Sequence, residues 1–321
     1  MKSFLLSVLS ILLFLFDVSS QQDPQFSHYM FNNMLTNPGY AGSSGKICAT
    51  AINRNQWLGF EGAPRTFAAN VNAPFNLFGV SHGVGLSVSN DVYGFYTDLG
   101  LSLSYALRFD VGDGKLAIGV AGGMMNNALG EANWEFDDGS IFHSSSDNAI
   151  PQGDENVTVF NMDGGIFYNT DDLYLGISAT NITEPTLKYS KGESEVAGSS
   201  EYQLKRHYYM TAGYTLQMPN PSFEVLPSLM VRSDGKSSQI DVNALVQYNK
   251  KFWGGVSLRV PDLIVLAGIE LTNNLRIGVS YDYTFSKIMN YSDGSVEIML
   301  NYCFEINKDK SPKKYKSIRY L

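Results

Sequence analysis

Apolar and polar residues alternate along most of this chain. In "NLRIGVSYDYTFS", Leu275, Ile277, Val279, Tyr281, Tyr283 and Phe285 share one face of an extended strand, and Arg276, Gly278, Ser280, Asp282 and Thr284 share the other. "QIDVNALVQY" sets Ile240, Val242, Ala244 and Val246 against Gln239, Asp241, Asn243 and Gln247. "LGLSLSYALRFD" sets Leu99, Leu101, Leu103, Tyr105, Leu107 and Phe109 against Gly, Ser, Ala and Arg. Similar runs begin near residues 47, 65, 82, 115, 157, 172, 206, 222, 250, 262 and 295. The pattern predicts about fourteen strands, each near the roughly 9–11 residues that cross a bilayer when tilted.

A soluble sandwich also alternates, but its polar face meets bulk water and carries many Lys and Glu. Here that face is mostly Ser, Gly, Asn and Thr, which suits a crowded, wet lumen. Charged residues make up only 17% of the chain, while Gly numbers 30 and Tyr and Phe 19 each, an all-β composition. Tyr208, Tyr214, Tyr281 and Tyr283 fall at strand ends, as in an interfacial aromatic girdle. The predicted class is a transmembrane antiparallel outer-membrane β-barrel.

Residues 1–20 read as a secretory signal peptide, with Lys2, an apolar run from Phe4 to Phe16 and small residues before Gln21. The expected order is then an N-terminal plug or periplasmic segment over 21–45, the barrel over 46–304 and a basic periplasmic tail over 305–321, whose net charge is +4. Counting strands from residue 47, the long connections, about 126–156 and 181–204, both follow odd-numbered strands and therefore share one rim, while "NTDD", "YNKK" and "LTNN" are turn-sized. Segment 126–156 is acidic but lacks the ligand spacing of an EF-hand loop.

Chemistry is sparse. The four histidines, His28, His82, His143 and His207, belong to no HExxH, CxxC or phosphate-cradling motif, so neither catalysis, a metal nor a cofactor is expected. The formal net charge of -8 argues against nucleic acid as a partner.

Three features invite a functional reading. A barrel of this width leaks unless filled, and the aperiodic segment Asp23–Gly45 is the natural filler. Phe26, Tyr29, Met30, Phe31, Met34 and Tyr40 supply bulk, Asn37 supplies amide groups, and Pro38 turns the chain toward the first strand. A loose periplasmic arm is the alternative. Between the first two strands, "NRNQWLGFEGAPRT" reads as an outer-rim hairpin. Arg54, Gln56, Trp57, Phe60, Glu61 and Arg65 are candidate partner contacts there, or simply parts of a structural turn. Cys48 opens the first strand and Cys303 closes the last. In a closed, even-stranded barrel those strands are antiparallel neighbours, and directly opposed residues lie about 4.5–5.5 Å apart at Cα, so either a seam disulfide or two separated thiols results, depending on stagger.

"DPQFSHYMFNNMLTNPGYAG" and "NRNQWLGFEGAPRTFAANVNAP", followed by "GLSVSND", "YLGISATNITEP", "RHYYMTAGY", "KFWGGVSLR", "LRIGVSYDYTFSK" and "GSVEIMLNY", resemble the PorP/SprF family of the Bacteroidetes type IX secretion system. The resemblance spans almost the whole mature chain. It implies a non-enzymatic outer-membrane barrel, surrounded by outer-membrane lipid, that assists secretion or surface attachment of secreted proteins. Its implied partners are the carboxy-terminal signal domain of a secreted substrate and machinery subunits in the periplasm and outer membrane. A passive or gated pore for a small solute is the second function class.

Overall fold

The computed structural model describes residues 23–130, 155–189, 201–272 and 274–304. The leader, most of the acidic connection and the basic tail lie outside the described residues, so the readings made of them go no further here.

Among the described residues there are seventeen strands, the longer of them formed by the alternating segments. The first seven are β1 (Ile47–Asn55), β2 (Arg65–Leu77), β3 (Val80–Tyr93), β4 (Tyr96–Val111), β5 (Gly114–Leu129), β6 (Glu155–Asn169) and β7 (Leu173–Thr180). A small separate hairpin follows, β8 (Thr186–Lys188) and β9 (Glu201–Gln203). The wall resumes with β10 (His207–Tyr214), the two-residue β11 (Leu216–Gln217), β12 (Phe223–Ser233), β13 (Ser238–Tyr248) and β14 (Phe252–Arg259), and ends with β15 (Asp262–Thr272), β16 (Leu275–Thr284) and β17 (Ser295–Phe304). Every wall strand pairs antiparallel with its neighbours. Because β10 pairs with β12, and β1 with β17, the sheet closes on itself as a fourteen-stranded barrel, with β11 only adding two residue pairs beside β12.

The wall strands send most of their apolar residues outward. On β4, Leu101, Leu103 and Tyr105 are exposed, whereas Ser104, Ala106 and Arg108 are buried. Tyr208, Tyr214, Tyr281 and Tyr283 also face outward. Closure leaves no strand edge in the bilayer, where an unpaired backbone group costs several kcal/mol. No helix among the described residues is long and apolar enough to cross a membrane.

The two rims differ as the connection lengths predict. One carries short links such as 78–79, 112–113, 170–172 and 249–251, and the other carries 130–154, 181–206 and 285–294. The second long connection is not wholly irregular, since it contains the β8–β9 hairpin. Leu187, Tyr189 and Leu204 pack there against Met125, Val157, Val159 and Tyr202. Three-residue strands carry too short an alternation to be read from sequence. Burial, and then the nearby Asp98 and Asp23 carboxylates, push the Tyr202 phenol up to about 12, so it stays neutral.

The seam has a definite register. Cys48 stands opposite Cys303 and Arg54 opposite Glu297. The two cysteines are joined by a disulfide, with their Cα atoms 4.1 Å apart. Because the bridge closes a loop of very high sequence separation, it is expected to stabilise the barrel by several kcal/mol, about 4–5 at most. Protein purified without reductant and denatured in a thiol-reactive probe should therefore take up no label. Two labelled thiols per chain would contradict the bridge.

Candidate functional site

The lumen is not lined by Ser and Asn alone. Ile52, Leu245, Trp253, Ile264, Leu266 and Met299 face inward and form a buried apolar patch, against which Phe26, Met30 and Phe31 of the N-terminal segment pack. The Phe31 ring centroid lies 4.9 Å from that of Trp253, and the Arg276 guanidinium sits over the Phe31 ring, 4.6 Å from its centroid. Beside this patch lies a group of buried ions. Arg54 meets Asp282 at 2.6 Å and Glu297 at 3.3 Å; Arg259 meets Asp241 at 2.9 Å, and Arg232 reaches the same carboxylate at 3.0 Å. All are almost fully buried. Charges so placed are tolerable only when their remaining hydrogen-bonding capacity is met.

The N-terminal segment meets much of it. The backbone N–H groups of Ser27 and His28 donate to the two oxygens of Glu297 at 2.8 and 2.9 Å, and His28 Nδ1 lies 2.7 Å from the same carboxylate. Ser27 Oγ donates to Asp282 at 3.0 Å and accepts from Arg54 at 3.0 Å, while Arg259 donates to the carbonyl of Phe26 at 2.9 Å. Tyr29 shares a hydrogen bond with Ser228 at 3.1 Å. The chain then winds through three short 3-10 turns, Tyr29–Phe31, Asn33–Leu35 and Pro38–Tyr40. These turns have no sustained period, which is why the stretch has neither a strand nor a helix signature.

Further along, Asn70 donates to Asn32 at 2.6 Å, Asn37 donates to the carbonyl of Ile166 at 3.0 Å and Ser178 donates to the carbonyl of Thr36 at 2.6 Å. The backbone of Gly39 and Ala41 lies so close to the wall that a Cβ on Gly119 would stand 2.3 Å from Gly39 N, and one on Gly83 would stand 1.9 Å from Ala41 O. Those wall glycines make room for main chain rather than for a strand bend.

The segment therefore has a direction. Asp23 touches Tyr209 and Thr180, at 2.9 and 3.2 Å, where β7 and β10 meet the long-loop rim. Gly42 and Ser44 lie at the tight-turn rim, where Ser44 meets Cys48. Of the segment residues singled out from sequence, Tyr29, Met34, Asn37 and Pro38 are buried, and Phe26, Met30, Phe31 and Tyr40 are partly so.

The hairpin candidates separate. Arg54 does not belong to an outer rim surface: alternation turns it inward, it is 3% exposed, and its partners are Asp282 and Glu297. Phe60, Glu61 and Arg65 are exposed, and Gln56 and Trp57 half-buried. Loop 56–64 leans across the seam, with the Leu58 N–H donating to the Gly294 carbonyl at 2.7 Å and the Asp293 N–H donating to the Leu58 carbonyl at 2.8 Å. Sequence reasoning missed the ion group of Arg232, Asp241, Arg259, Asp282 and Glu297. Its signal is a charge at an inward position of a strand whose other inward residues are mostly neutral. Among the described residues no group of His, Cys, Asp and Glu has the arrangement of a metal site.

The model of the family described as type IX secretion system membrane protein PorP/SprF matches residues 18–302. No curated protein matches the chain. Among solved structures, the Ralstonia pickettii toluene transporter TbuX is similar, at 11% identity and a TM-score of 0.51, covering 85% of this chain and 93% of that one. The monoaromatic hydrocarbon channel CymD is similar at 12% identity and a TM-score of 0.50, over 86% and 93%. At such identities the likeness is one of fold, that of an outer-membrane barrel.

Because Glu297 accepts from Arg54 and from three donors of the segment, Glu297→Ala should leave those buried donors without an acceptor and Arg54 with Asp282 alone, and destabilise the barrel by about 3–5 kcal/mol. A denaturant midpoint followed by heat-modifiable gel mobility measures it. A shift within about 0.5 kcal/mol, as for an ordinary surface substitution, would mean that the ion group is hydrated and of little consequence.

Proposed function

As the chain belongs to the PorP/SprF family of type IX secretion system membrane proteins and folds as an outer-membrane β-barrel, we propose that it is a non-enzymatic component which supports secretion or surface attachment of secreted proteins by binding them and machinery subunits. The observation that carries the reading is the family match over residues 18–302, taken with a lumen crossed by the chain's own N-terminal segment. A barrel filled in this way is suited to presenting its rims rather than to conducting through its axis. Long loops of outer-membrane barrels face the medium, so the substrate side is the rim bearing Trp57, Phe60, Glu61 and Arg65, and machinery subunits meet the tight-turn rim. Trp57 and Phe60 supply aromatic surface and Arg65 a guanidinium for a partner carboxylate.

The pore reading has one observation in its favour, the fold shared with a toluene transporter and a hydrocarbon channel. It requires the segment Asp23–Gly45 to leave or shift, and the buried contacts of Ser27, His28 and Asn37 weigh against that.

Gentle detergent extraction separates the two. Recovery of a secreted protein or secretion-ring subunits, lowered by charge reversal at Arg65 with barrel mobility unchanged, is the expected result. A barrel that elutes alone and conducts steadily in planar bilayers would overturn it. Deleting Asp23–Leu35 should raise small-solute permeability or abolish assembly, and an intact barrel of unchanged permeability would refute the segment's role as a plug.

A further inference from the structure

The head of the N-terminal segment sits where the sheet closes on itself. Arg54 of β1 and Glu297 of β17 face each other across the seam, and Asp282 comes from β16, the next strand round. Ser27 and His28 bond to all three side chains at once. The same end of the seam is crossed by loop 56–64, through Leu58 to Gly294 and Asp293, and by the Trp57 N–H, which donates to Ser295 Oγ at 3.1 Å. The opposite end, at the tight-turn rim, is held covalently by Cys48 and Cys303.

With the segment absent, Arg54 and Glu297 would face a water-filled lumen, where an ion pair is screened and worth little. With it present, the pair is desolvated, and each remaining carboxylate lone pair finds an N–H. A weak hydrated contact becomes a strong one of fixed geometry. The donors that complete Glu297, two backbone N–H groups and the His28 imidazole, come from the segment and not from the wall, as does the Ser27 hydroxyl that links Arg54 to Asp282.

We propose that the N-terminal segment is the closing clamp of this barrel: the seating of Ser27 and His28 and the zipping of the long-loop end of the β1–β17 seam are one coupled event, with the disulfide holding the other end. The proposal shares with the plug reading only the lumenal seat of the segment, not its effect on permeability.

Amide hydrogen exchange on the full-length, disulfide-bonded protein tests it, with residues 52–55 and 295–298 read against the β4–β5 hairpin as an internal reference. The double variant Ser27→Ala/His28→Ala should speed exchange at the seam by at least about tenfold relative to that hairpin, the scale set by losing charge-assisted hydrogen bonds. Tyr40→Ala, which loosens the segment against Phe167 far from the seam, should not. Where the double variant yields no barrel, Ser27→Ala alone is read in the same way. Seam exchange equal to that of the unaltered protein, or acceleration shared equally by β4–β5, would overturn the clamp. Permeability measured on the same samples separates the readings: a leak without seam opening leaves the plug and removes the clamp, and seam opening without a leak does the reverse.

Discussion

A strand inside a bilayer has no water to satisfy its backbone, so both of its edges must be paired. Everything else in this molecule follows from meeting that requirement with fourteen strands. The last strand must find the first, which places β17 beside β1 and brings residues from the two extremes of the chain into register. It also creates a lumen too wide for wall side chains alone to fill. The cysteines, the seam ion pair and the segment before the first strand are successive consequences of closure.

Filling that lumen with the chain's own N-terminal segment needs two kinds of surface. The apolar patch around Trp253 and Met299 takes Phe26, Met30 and Phe31, at the usual gain for burying large apolar side chains. The ion group takes backbone and hydroxyl groups that would otherwise be buried without partners. Neither surface is sufficient, because an aperiodic chain inside a barrel has its own N–H and C=O groups to satisfy. The 3-10 turns meet some of these internally, the Asn37 Oδ1 accepts from the Gly39 N–H, and Ser178 and Arg259 of the wall donate to the Thr36 and Phe26 carbonyls.

Much of this architecture is legible in the sequence, because a period of two over ten residues is a strong signal wherever one face meets lipid. Strand number, the split between long and short connections and the phase of Cys48 and Cys303 all follow from it. Arg54 shows its limit. Alternation places it on the face of Cys48 and Thr50, inside the barrel, yet its neighbourhood of Trp57, Phe60 and Glu61 reads as a rim hairpin, and the structure gives the decision to alternation. The pairing of Arg54 with Asp282 and Glu297 was not legible, since it depends on a register between strands more than 200 residues apart. Nor was the direction of the N-terminal segment, whose head at the long-loop rim is fixed by contacts of Asp23 and Ser27 that have no local pattern.

The central claim is that residues 23–45 occupy the lumen of the assembled barrel in its membrane. Asn32 and Asn70 test it most directly, as their side chains meet at 2.6 Å in the middle of the lumen. With both replaced by cysteine, a short bifunctional thiol reagent applied to isolated outer membranes should join the segment to β2, giving one linked peptide pair by mass spectrometry. Absence of that link in a folded barrel, with both new thiols labelled singly and freely, would contradict the account.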